Sequence, residues 1–141
     1  MKSIMPVTPR WSCLALLGPL LVGSTGCGSG SIYPVQGKVV FKDGTPLQGG
    51  YIVFESVEDN RVIARSDIEP DGTFTLGTRK PGDGALAGQH RVAVSPPFRP
   101  NAEAAKGPPL IHPRYTKAET SDLVFTVERR ANHFTVEVDK P

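Results

Sequence analysis

Val35-Gln36-Gly37-Lys38-Val39-Val40-Phe41, followed by Lys42-Asp43-Gly44-Thr45-Pro46, is the stretch that decides the fold class. Val35, Gly37, Val39 and Phe41 fall on one face of an extended chain, and Gln36, Lys38 and Lys42 fall on the other. Side chains of a β-strand alternate with a period of two, so this is the pattern of a half-buried strand. Asp43-Gly44-Thr45-Pro46 is turn chemistry that ends it.

The same alternation recurs downstream, each time closed by a turn signal. Tyr51 to Ser56 is a second strand with Ile52 and Phe54 inward, and Arg61 to Ile68 is a third. Pro70-Asp71-Gly72 is a turn, because proline presets φ and glycine tolerates positive φ. Thr73 to Gly77 follows with Phe74 and Leu76 inward. Gly82–Gly88 reads as a loop and His90 to Val94 as the fifth strand. Leu123, Phe125 and Val127 mark the sixth. Phe134, Val136 and Val138 mark the seventh, with His133 out of phase and facing solvent. The 15 Gly and 14 Pro among 141 residues make long helices improbable. Seven short strands with frequent turns predict an all-β domain over residues 33–141, a seven-stranded antiparallel β-sandwich. Pro96 to Tyr115 stands apart, with six of the prolines around the helix-compatible run Ala102-Glu103-Ala104-Ala105-Lys106.

Upstream of the domain, residues 1–26 read as a sorting signal. Lys2 and Arg10 precede Trp11 to Val22, an apolar run interrupted by Pro19. Its twelve residues fall short of the ~20 needed to span a bilayer. Ser24-Thr25-Gly26-Cys27 then places small residues before a cysteine. This resembles the lipobox of bacterial lipoproteins, although Ser24 stands where that group usually has Leu. The resemblance implies a lipid on Cys27, cleavage before it, and a membrane as partner. Ordinary signal-peptidase cleavage near Gly23–Gly26 is the alternative. Residues 27–32 read as a flexible tether. Cys13 and Cys27 are the two cysteines, so the domain itself holds no thiol.

The domain motifs carry a second likeness. Tyr33-Pro34-Val35-Gln36-Gly37-Lys38-Val39, Asp43-Gly44-Thr45-Pro46-Leu47, Asp71-Gly72-Thr73-Phe74 and Gly88-Gln89-His90-Arg91-Val92 resemble the carboxypeptidase regulatory-like (transthyretin-like) domain of small bacterial lipoproteins. Ile111-His112-Pro113-Arg114-Tyr115 resembles the segment before the last hairpin in that group. The likeness implies a transthyretin-like or Ig-like sandwich in the cell envelope, and it carries little chemistry. His90 stands where the group has Tyr, a position from which a Tyr bonds nearby backbone, and the ring of His90 is expected to do the same.

The residues that carry chemistry are sparse. The net charge of +2, which becomes zero once residues 1–26 are removed, gives no concentrated basic face for nucleic acid. No Gly-x-Ser-x-Gly elbow is present, and His90, His112 and His133 occur singly without metal-ligand spacing. The acids of Glu55–Asp59 and Asp67–Asp71 lack the spacing of a calcium loop. The expectation is therefore a non-catalytic protein with no metal and no cofactor. It is a structural or interaction module of the envelope, extracytoplasmic and anchored at Cys27. The alternative is a carbohydrate- or peptide-binding module, using Tyr115 and Phe98 of the 96–115 loop as stacking surfaces.

Overall fold

The computed structural model describes residues 30–101, 107 and 109–141. The expected sorting signal at 1–26, Cys27 and the run at 102–106 lie outside the described residues.

The described chain is all-β, with nine strands and one 3-10 turn. The strands are β1 (Ile32–Tyr33), β2 (Val35–Phe41), β3 (Tyr51–Ser56), β4 (Ile63–Asp67), β5 (Thr73–Thr75), β6 (Ala85–Leu86), β7 (Gly88–Ser95), β8 (Val124–Val127) and β9 (Asn132–Val138). The 3-10 turn η1 covers Pro113–Thr116 between β7 and β8. All seven strands expected from alternation are present. The count rises to nine through β1 and β6, a two-residue antiparallel clip in which Ile32 pairs with Leu86 and Tyr33 with Ala85. The clip corrects the expected loop at Gly82–Gly88 and the end of the tether at Ile32. Segments of two residues are too short to show a period.

Strands β5-β2-β9 form one sheet and β4-β3-β7-β8 another. The second is antiparallel throughout. The first is mixed, which corrects the expectation of a wholly antiparallel arrangement. Strand β2 runs antiparallel to β5 but parallel to β9, in register from Val35↔Asn132 to Phe41↔Val138. The reason is topological: the 128–131 turn carries the chain from β8 in one sheet to β9 in the other. Alternation gives a strand's buried face and says nothing of its direction.

The buried faces of the two larger sheets share one apolar cluster, as in a β-sandwich. Val35, Val39, Phe74, Val136 and Val138 come from the first sheet, and Ile52, Phe54, Ala64, Val92, Val94 and Val127 from the second. Burying an aliphatic or aromatic side chain contributes about 1.5–3 kcal/mol, so this list is the main stabilising term. Phe54 is fully buried, and its ring lies 6.3 Å from Phe74, 6.0 Å from Phe134 and 6.0 Å from Phe125. Gly37 makes room for that cluster. A Cβ at this position would collide with the Phe134 carbonyl oxygen and the Phe74 ring.

The strands run between two ends of the domain. At the Gly88 end of β7 lie the β1–β6 clip and the 57–62 and 77–84 turns, tied in by Val57 N–H to the Gln89 carbonyl and Gly84 N–H to the Leu76 carbonyl. The 128–131 turn joins them, with Asn132 N–H donating to the Pro34 carbonyl. At the Ser95 end lie the 42–50 and 67–72 turns, where Ile68 N–H donates to the Gly50 carbonyl. Gly72 takes φ 85° there, as the Pro70-Asp71-Gly72 turn requires.

Two substitutions test this packing. Phe54→Ala is expected to cost about 3–5 kcal/mol of unfolding free energy in a urea titration. Gly37→Ala is expected to destabilise as well, although alanine ordinarily suits a strand better than glycine. A neutral result at Gly37 would remove the close approach from the account.

Candidate functional site

Three residues were expected to carry function from the sequence. Cys27 lies outside the described residues. Phe98 follows β7 at the Ser95 end and is 90% exposed. Tyr115 is in η1 and only 2% exposed. Its ring meets the edge of His112 at 6.5 Å, with the Arg114 guanidinium 4.7 Å from its centre. Tyr115 is therefore built into the body of the domain, and its face is not open for stacking. Ile111, Tyr115 and Ala118 are all buried, and this recurrence of apolar residues was the signal in the sequence for that inward face.

Around Tyr115 the fold assembles a polar cluster that sequence reading missed. Asp139, just after β9, accepts from Arg114 Nη2 at 2.7 Å, from the Tyr115 hydroxyl at 3.1 Å and from Lys42 Nζ at 2.7 Å. Its backbone carbonyl also takes the His112 N–H at 2.9 Å. Locally, His112 caps η1 by accepting the Arg114 N–H on Nδ1. Pro113 opens the turn, where a missing N–H costs nothing. These contacts tie the 111–116 segment and the β2 end to the last strand. A carboxylate with three donors is occupied, so Asp139 serves as an anchor rather than a general base. The Lys42 ammonium is the main reason that the Asp139 carboxyl titrates below its ordinary value of 3.8, with Tyr115 and Arg114 adding to it against partial burial.

The three histidines stay apart. His90 is 1% exposed on β7, and its Nε2–H donates to the Leu86 carbonyl at 2.8 Å. That is the backbone bond expected for the position. The ring packs 6.0 Å from Phe54, and Nδ1 is buried without a partner. His133 is exposed on β9, and His112 is spent as a cap. Among the described residues, no group of three or more His, Cys, Asp or Glu side chains is placed to hold a metal ion.

Among the described residues, two adjoining concave features lie at the Gly88 end: a pocket of about 320 Å³ lined by Glu55, Glu58, Asp59, Arg91 and Glu119, and an open groove of about 790 Å³. Gly30, Tyr33, Glu58, Asp59, Arg61, Arg79 and Arg129 are in the lining of the groove. Arg61 is held there by Asp59, with Nε to Oδ1 at 3.0 Å. Asp83 shapes one wall by accepting the Thr78 N–H at 2.7 Å and the Arg79 N–H at 3.2 Å. The arginines are scattered over nearly seventy residues of sequence, from Arg61 to Arg129, and no local motif announces them.

Comparisons with protein-family models, with curated proteins and with solved structures gave no match.

A carboxyl with a lowered folded value adds stability above its ordinary value and loses it as the pH falls through the folded value. Asp139→Asn is therefore expected to be less stable than the parent at pH 7. The gap between the two should narrow as the pH falls below 3.8, followed by thermal melts across the acid range. Tyr115→Phe removes one hydroxyl from the cluster and is expected to cost about 1–2 kcal/mol in denaturant titrations. A Tyr115→Phe protein as stable as the parent would take the hydroxyl out of the anchor.

Proposed function

We propose that this chain is a lipid-anchored protein of the cell envelope, whose domain is a non-catalytic β-sandwich of the carboxypeptidase regulatory-like kind. It works as a structural or interaction module on the extracytoplasmic side of a membrane. The observation that carries this reading is Ser24-Thr25-Gly26-Cys27 behind the Trp11–Val22 apolar run. Two acyl chains on one cysteine hold a protein stably at a bilayer without a transmembrane helix.

The architecture is in keeping with that reading. The described domain begins three residues after Cys27 and enters its first strand at Ile32. Only a short tether then separates the acylated residue from the fold. The polar side chains best placed for chemistry have structural work: His90 bonds backbone inside the core, His112 caps a turn and Asp139 binds three donors. A seven-stranded core scheme extended by a short clip fits the Gly, Pro and aromatic motifs of the family likeness, and none of those motifs brings a reactive group.

A specific observation favours a second reading, binding of a glycan or peptide at the 96–115 loop. Phe98 is 90% exposed, an unusual place for a phenylalanine. Binding to a glycan or peptide array that Phe98→Ala abolishes would establish it.

The primary reading is tested by the intact mass of the native protein extracted from membranes with detergent. The expected species starts at Cys27 and carries a diacyl or triacyl increment. Cys27→Ala is expected to lack that increment and to lose the processed form. A bare chain cut between Gly23 and Gly26 would make it a freely secreted domain and end the anchoring proposal.

A further inference from the structure

We propose that the arginine-bearing groove at the Gly88 end is a contact surface for the phosphates of anionic lipid headgroups. The anchored domain then stands with that end down and the Phe98 end outward. This inference rests on lipidation of Cys27.

Chain geometry puts the groove next to the anchor. Three residues reach at most about 11 Å, and Gly30, three residues past Cys27, is itself part of the groove wall. A lipid on Cys27 therefore brings this end to the bilayer surface. The eight residues of β7 span roughly 25 Å, which keeps the Ser95 end several Debye lengths away.

In the groove, Arg61, Arg79 and Arg129 face two acids, Glu58 and Asp59. Among the described residues, the side chains of Arg79 and Arg129 make no hydrogen bond or ion pair. Arg61 is paired with Asp59, yet its side chain is 87% exposed. Of the neighbouring acids, Asp83 is occupied by backbone amides and Glu128 by Arg130, while Glu55 and Glu119 line a smaller pocket beside the groove together with Arg91. The opposite end exposes Asp67, Glu69 and Asp71 in one turn. A guanidinium offers a planar fork of donors that matches phosphate oxygens, so two uncommitted arginines beside the anchor suit a phosphate-bearing surface. Each basic side chain near an anionic surface favours contact by roughly fivefold. In the inverted orientation, with the Ser95 end down, the acidic turn would be repelled by the same surface.

The test uses the full lipidated protein reconstituted into vesicles, either of phosphatidylcholine alone or of phosphatidylcholine with phosphatidylglycerol. Asn60→Cys places a thiol at the exposed turn beside the groove, between its wall residues Asp59 and Arg61, and Gln48→Cys places one at the exposed turn of the opposite end. Labelling by a membrane-impermeant maleimide is timed for each. In phosphatidylglycerol vesicles the thiol at position 60 is expected to label several-fold more slowly than in phosphatidylcholine. High salt, or Arg79→Ala with Arg129→Ala, should restore the rate, and the thiol at position 48 should label alike in both. Equal rates at position 60 in the two vesicles would overturn the headgroup contact while leaving the anchor intact. A protein that does not float with either vesicle would overturn the anchor, and the orientation with it.

Discussion

The ring of Phe54 is the point on which both sheets close. It projects from the middle of β3 and packs against Phe74 and Phe134 of the facing sheet, while Phe125 and His90 flank it on its own side. A dense interior forfeits stability for any volume it fails to fill, so the residues around this ring are mutually constrained. Gly37 has no side chain because the Phe74 ring and the β9 backbone occupy the space. His90 is confined to a rotamer that finds the Leu86 carbonyl. Its one unbonded nitrogen sits in the same enclosure.

From this centre the domain divides its tasks between its ends. One end holds the β1–β6 clip and carries the arginine groove. The other gathers the η1 segment, the Asp139 cluster and the loop bearing Phe98. The Asp139 contacts join the η1 turn to the ends of β2 and β9, with which η1 shares no strand ladder. An exposed ion pair contributes little alone, but a shared carboxylate with a buried tyrosine beneath it fixes a segment that has no strand to hold it.

What was legible in the sequence was what a period of two can encode. The inward residues Ile52, Phe54, Phe74, Leu76, Val136 and Val138 all point to the core, and His133 points away. The backbone role of His90 was legible too, because it depends on one position in one strand. Strand direction was not, so the parallel β2–β9 pairing came only with the structure. Neither was the clip, whose pairing joins residues over fifty positions apart for two rungs. Tyr115 shows a different limit. A tyrosine has an apolar body and a polar tip, and only the arrival of Asp139 from 24 residues away decides that the tip is satisfied inside the fold.

The parallel ladder between β2 and β9 has a mechanical consequence. These are the first long strand and the last strand of the chain, and they lie side by side in the same direction over seven residues. Tension applied between the two flanks of the domain pulls β2 backward and β9 forward along their shared axis. The evenly spaced bonds of a parallel pair are then strained together in shear, whereas a hairpin pulled from its open end parts one rung at a time. A protein held at one flank and tugged at the other is thus guarded by its strongest geometry at the place where the load arrives.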